Sequence, residues 1–190
     1  NDSVSVGYQY GGLLLHKKGR GLAGFEALRT TDNQTGVITE TAYHQHWPYI
    51  GMPLSTVQMK DSVVLSSSNN TMRQQSTASG GVMPYIHQST ERNNSLGSDL
   101  NKYEISKTES TFTYDSYGNL KNSSIHIRDA ENNNNRLSTY TNNTYGSNTL
   151  YKQKGRLTNA TVQKALYNNA RLVSDITRKS SFTYYADDLL

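Results

Sequence analysis

"STFTYDSYGNLKNSSIHIR", Ser110 to Arg128, decides the fold. Phe112 and Tyr114 lie two apart, so on a strand they share a face. Apolar residues return at Leu120, Ile125 and Ile127. Between these runs sits turn chemistry. Asp115 can accept backbone N–H groups in an Asx-turn. Gly118 can take the positive φ that closes a hairpin, and Asn119 tolerates it too. The stretch therefore predicts two antiparallel strands, over 103–114 and 120–128. A chemical reading competes, with Asp115 as a general acid or base between two tyrosines. That role needs a second titratable group within reach, and nearby in sequence there is just His126. Every residue from Tyr114 to Leu120 already has a task in the hairpin, so the structural reading is preferred.

The same logic extends outward. "SVSVGYQY" (3–10) puts Val4, Val6, Tyr8 and Tyr10 on one face of a strand. Gly11-Gly12 marks a turn, and residues 13–16 read as a buried strand. Residues 23–47 form a hairpin around Asp32-Asn33-Gln34-Thr35-Gly36. Residues 51–72 repeat the pattern, with a turn near Lys60-Asp61. The polar run 66–81 reads as a long loop, or as strand ends with a mobile connection. A strand over 82–92 is broken by "NNSLGSD" (93–99), and "DAENNNNR" (129–136) is a polar loop. Short strands follow at 136–145 and 150–151, then a last pair within 155–166 and 170–185. "STFTYDSYGNL" (110–120) and "SSFTYYADDLL" (180–190) align at Ser, Phe, Thr, Tyr and the final Leu, a weak internal repeat. The expected fold class is all-β, with antiparallel hairpins in a meander that forms a curved sheet.

Composition agrees. Hydrophobic residues make up 34% of the 190, and Tyr (14) outnumbers Phe (3) and Trp (1) together. Tyr and Thr suit half-buried pleated surfaces, whereas abundant Asn, Ser and Thr compete for helical backbone bonds. The formal net charge is +4. Basic residues are scattered, apart from Lys17, Lys18 and Arg20, so nucleic acid is not an expected partner. With no cysteine, disulfides, thiolate metal sites and a cysteine nucleophile are excluded. No apolar run reaches the roughly 20 residues of a spanning helix. "NDSVSVGYQY" reads as a strand already under way, as in a piece of something longer, and it lacks a signal peptide's basic start and apolar centre.

Three further patterns carry possible chemistry. Gly19-Arg20-Gly21-Leu22-Ala23-Gly24 is a literal G-x-G-x-x-G, and Glu40 lies at a plausible distance for a ribose contact. A dinucleotide site also needs a parallel crossover, and hairpin sequence follows instead, so Gly19, Gly21 and Gly24 are expected to make a bend between strands. His44 and His46 share a face if they lie on a strand, and zinc would need a third ligand from His16, His87 or His126. Packed or surface histidines are the preferred reading, with no metal and no cofactor. Asn-x-Ser/Thr sequons, including Asn33, Asn122, Asn142 and Asn159, arise by chance in so Asn-rich a chain.

"YDSYGNL" (114–120) resembles the signature Tyr-Asp-x-x-Gly-Asn-Leu of bacterial RHS/YD-repeat proteins. Residues 8–54 resemble the stretch of insecticidal toxin-complex B components, and of related virulence-plasmid toxins, that leads from a β-propeller into the YD-repeat shell. The matching elements are Tyr10-Gly11-Gly12, Gly19-Arg20-Gly21, Gly24-Phe25, Thr35-Gly36, Tyr43 and Pro48-Tyr49-Ile50-Gly51-Met52-Pro53. "KGRLTNATV" (154–162) and "ITRKSSFTYY" (176–185) resemble later parts of that region, and residues 60–100 match it least. "SSFTYYADDLL" departs from the signature, with Tyr185 in the Asp position and no following Gly.

This resemblance implies a segment of a hollow β-shell in a secreted toxin, enclosing a toxic C-terminal effector kept unfolded or inactive. The enzymatic residues and the aspartyl self-cleavage site would lie beyond the shell. The chain would then be one non-enzymatic segment: 1–60 propeller-to-shell-like, 61–100 a variable polar connection, 101–190 YD-repeat-like hairpins. Its partners would be the remainder of the toxin chain or other toxin-complex subunits, and the enclosed effector. Two rivals stand beside it. One is a module that binds carbohydrate or a host surface through exposed Tyr, Trp47 and Asn. The other is an enzyme dependent on a metal at His44 and His46 or on a nucleotide at Gly19–Gly24.

Overall fold

The computed structural model describes residues 4–17, 19, 21–96, 102–146 and 155–184. Among these residues thirteen strands follow one another: β1 (Val6–Gly11), β2 (Leu14–His16), β3 (Gly21–Gly24), β4 (Ala27–Asp32), β5 (Ile38–Tyr43), β6 (Pro53–Lys60) and β7 (Val63–Ser76), then β8 (Val82–Leu96), β9 (Lys102–Tyr114), β10 (Leu120–Asp129), β11 (Arg136–Tyr145), β12 (Leu157–Asn168) and β13 (Arg171–Ser181). Eleven form one sheet in the order β1-β4-β5-β6-β7-β8-β9-β10-β11-β12-β13, and β2 with β3 makes a separate two-stranded flap. All the pairings are antiparallel. The chain is all-β, a meander that does not close on itself: among the described residues β1 and β13 each have a neighbour on one side only.

Turn chemistry explains the meander. Asp61 and Ser62 take φ of 49° and 66° between β6 and β7, and Asn169 and Ala170 take 48° and 64° between β12 and β13. Two successive positive φ values give the tight connection whose twist matches the flanking strands. Because every connection in the sheet reverses the chain, the turns collect along two rims. One rim carries the flap and residues 44–52, 77–81 and 115–119.

Directly opposed residues of an antiparallel pair share a face. Glu109, His126, Ser138, Ala165 and Asp175 form one such row across β9 to β13. The neighbouring row, Ile127, Leu137 and Leu166, faces the other side. These three are 42%, 40% and 45% exposed, so the single layer leaves this apolar stripe uncovered. Among the described residues the buried apolar side chains are Ala23 and Ala165 alone. Domains ordinarily pack two layers around a core, and this sheet supplies one.

Several expectations are corrected. Residues 66–81 are not a long loop: β7 runs to Ser76, and the connection is confined to 77–81. "NNSLGSD" does not break its strand at Asn93, because β8 continues to Leu96 against β9. Residues 13–16 are not buried; β2 belongs to the flap, with Leu13 and Leu15 exposed. An apolar run reports the need for cover, not whether cover is present. The first strand begins at Val6, not Val4. The strand expected at 150–151 and the degenerate repeat from Tyr185 onward lie outside the described residues.

Candidate functional site

The turn between β9 and β10 is closed by its own residues. The Asp115 N–H donates to the Asn119 carbonyl at 2.9 Å, and the Gly118 N–H donates to the Asp115 carbonyl at 3.1 Å. Asp115 Oδ1 accepts the Tyr117 and Asn119 N–H groups, both at 2.9 Å, while Oδ2 accepts the Asn119 side-chain amide at 2.9 Å. Gly118 has φ +88°, and a Cβ there would lie 2.9 Å from Met83 Sδ. Leu120 re-enters the sheet, its carbonyl accepting the Tyr145 hydroxyl at 2.9 Å and the Asn143 amide at 3.0 Å. The Tyr114 ring sits 5.0 Å from that of Tyr85. Asp115 thus spends its carboxylate on three bonds within its own turn. His126 pairs with Glu109, six residues back from Asp115 along β9, about 20 Å away at strand rise. The fold does not bring the proposed acid and its partner together.

An unexpected relative of this turn lies beside it. In Thr77-Ala78-Ser79-Gly80-Gly81, the Thr77 N–H donates to the Gly81 carbonyl at 2.8 Å, and the Gly80 N–H to the Thr77 carbonyl at 2.9 Å. The Thr77 hydroxyl accepts the Gly81 N–H at 2.9 Å, and Gly80 has φ +83°. The pattern is that of Asp115–Asn119, with a threonine heading it. The two turns touch: the Ala78 N–H donates to the Ser116 carbonyl at 2.8 Å, and the Gln75 amide donates to the Asp115 carbonyl. Sequence reading passed over it because Thr replaces Asp inside a polar run; the legible signal was the glycine three residues on. Asp32 heads a third turn, one residue longer. There the Thr35 hydroxyl, then the Gln34 N–H, holds its carboxyl below the usual range.

The glycine-rich segment is a bend. Gly19, Gly21 and Gly24 have φ of +80°, +77° and +81°, and none has an atom within 4 Å of where a Cβ would stand. Backbone conformation, not ligand space, calls for glycine there. Gly21 and Gly24 pair with His16 and Leu14. The Gln45 amide ties the flap down by donating to the Gly24 carbonyl at 2.9 Å and to that of Gly12 at 2.5 Å. Phe25 and Glu26 lead from the bend into β4.

His44 and His46 do not share a strand face. They lie in the turn after β5, closed by His44 N–H to Met52 O at 2.9 Å and Gly51 N–H to His44 O at 2.8 Å, with a cis Trp47-Pro48 bond between. His87 is buried in β8 with Nδ1 3.0 Å from the Phe112 carbonyl. His16 is in the flap and His126 in β10. Among the described residues, no three His, Asp or Glu side chains gather as metal ligands.

A cluster of charges on β9 to β11 was not foreseen. On one face, His126 Nδ1 lies 2.9 Å from the hydroxyl of Ser138, which has no exposed surface. The Tyr140 ring meets the imidazole edge-on at 5.4 Å. Burial holds His126 below the ordinary imidazole range, and the Arg136 and Arg128 charges push the same way against Glu109. Glu109 bridges Lys107 at 2.8 Å and Arg128 at 3.0 Å. The Lys107 bond holds its carboxyl below the usual range, with Arg128 helping. Serine, imidazole and carboxylate stand in one row, yet the sealed hydroxyl offers no substrate access, and Glu109 is engaged by its cations.

No family model matches the chain, and no curated protein does. Solved structures match. The crystal structure of TcdB2-TccC3 superposes with a TM-score of 0.66 at 11% identity, over 88% of this chain and 12% of that one. TcdB2-TccC3 without its hypervariable C-terminal region gives 0.65 at 9%, and TcdB2-TccC3-Cdc42 gives 0.63 at 10%, with the same coverage. This chain therefore spans a small part of the length of those chains, and what it has in common with them is the fold.

Proposed function

We propose that this chain is a wall segment of a secreted Tc-type toxin, part of the β-shell that encloses a toxic effector, and that it performs no catalysis itself. The observation that carries this reading is the open eleven-stranded meander, with edge strands and an apolar stripe left uncovered among the described residues, in a chain that superposes on TcdB2-TccC3 over 88% of its length. Unpaired edges and uncovered apolar faces call for further chain. In this reading β1 and β13 pair with neighbouring strands of the same toxin or of a partner subunit. Residues 1–60 lead into the wall, 61–100 vary in sequence, and 101–190 carry the YD-type hairpins. Tyr114, Asp115, Gly118, Asn119 and Leu120 act as turn builders, as do Gly19, Gly21 and Gly24 in the flap.

Limited proteolysis of the full gene product tests the proposal. A downstream effector should resist digestion in the intact protein and become sensitive when the β9–β10 hairpin is deleted. Equal digestion of the two would overturn it.

A further inference from the structure

Four cations stand in one register row across four adjacent strands. Arg92 opposes Lys107, Lys107 opposes Arg128, and Arg128 opposes Arg136. Neighbouring strands are about 4.8 Å apart, and directly opposed like charges destabilise a sheet. Two acids offset part of the row: Glu104 holds Arg92 at 2.7 Å, and Glu109 bridges Lys107 and Arg128. Arg136 has no acid. Its guanidinium lies 4.3 Å above the Tyr167 ring, and its Nε is buried without a hydrogen-bond partner. Two positive charges are left over from four cations and two acids, concentrated toward β10 and β11.

Beyond the His126 row, the same face becomes a field of hydroxyls and amides. Thr113, Asn122, Tyr140, Asn142 and Gln163 line an open trough of about 370 Å³ there.

We propose that this face binds a linear anionic polysaccharide, with sulfate or carboxylate groups on Arg128 and Arg136 and sugar hydroxyls on the amide-lined trough. Charge complementarity selects the occupant. An extended acidic peptide repeats its side chains on one side at roughly 6.6 Å, out of step with the row, and brings few hydroxyls to the trough. A single-stranded nucleic acid needs a succession of open rings on which to stack its bases; among the trough-lining residues Tyr140 is the one aromatic ring, and Tyr167 is covered by Arg136. The site is separate from the wall reading, since it needs no shell and no effector.

Calorimetry of the full-length protein with heparin, neutral dextran and poly-glutamate tests it. Heparin should bind, more weakly as salt rises, while dextran and poly-glutamate should not. Arg128→Gln with Arg136→Gln should weaken heparin by about ten-fold or more at an unchanged fold. If that variant fails to fold, Arg128→Lys with Arg136→Lys keeps the charge but loses the forked geometry, and it too should bind less. No heparin binding, equal binding of poly-glutamate, or an unaltered affinity in a folded variant would each overturn the proposal.

Discussion

Gly118 in one turn faces Met83 in the next hairpin so closely that a Cβ on the glycine would stand 2.9 Å from the methionine sulfur. With φ at +88°, Gly118→Val meets backbone strain of about 1–3 kcal/mol, with overpacking added. A clearly lowered melting temperature is expected. Met83→Ala in the same background should restore part of it, and an unchanged melting temperature would contradict the turn geometry.

Asp115 accepts three bonds, all within its own turn. Asp115→Ala should cost about 1–2 kcal/mol, whereas Asp115→Asn keeps an acceptor for the two backbone N–H groups and should be mild. Urea denaturation of the two variants checks the order. A selective loss of any activity in folded Asp115→Asn would revive a chemical role.

His126 makes the sheet sensitive to acid. Lys107 and Glu109 face it from β9, Arg136 and Tyr140 from β11, and Arg128 lies on its own strand. Its folded pKa is lowered, so as pH falls below the unfolded value of about 6.5 the unfolded chain takes up the proton first and stability declines. Glu109, also lowered, contributes stability that is lost only at lower pH, below its ordinary value of about 4.3. Denaturation midpoints should therefore drop as pH falls through about 6.5, and His126→Gln, which can still bond Ser138, should flatten that drop. A slope unaffected by the substitution would refute the assignment.

Gln45 holds the flap through the carbonyls of Gly12 and Gly24. Gln45→Ala should leave the large sheet intact while amides of 14–24 exchange faster with deuterium. Mass spectrometry of peptides from both regions distinguishes a local effect from a global one.

Strand and turn positions were legible because their signals are local: alternation at Val6, Tyr8 and Tyr10, and Asp-to-Gly chemistry at 115–118. Register was not. Arg92, Lys107, Arg128 and Arg136 are scattered in sequence and align only through pairings offset by bulges such as those at Asn93/Asn94 and Leu120/Asn122. The two histidines at 44 and 46 were misplaced because the strand ends at Tyr43, where Pro48 and Gly51 take over. The polar run at 66–76 looked like loop because a strand with two wet faces carries little apolar alternation.

From β5 onward each strand of the sheet pairs with the strand before it in sequence, and the exception, β1 with β4, encloses nothing longer than the flap. No strand has to wait for a distant partner, so loop-closure entropy stays small and contacts are local. The sheet can therefore assemble by accretion as the chain leaves the ribosome, each hairpin templating the next on a freshly made edge.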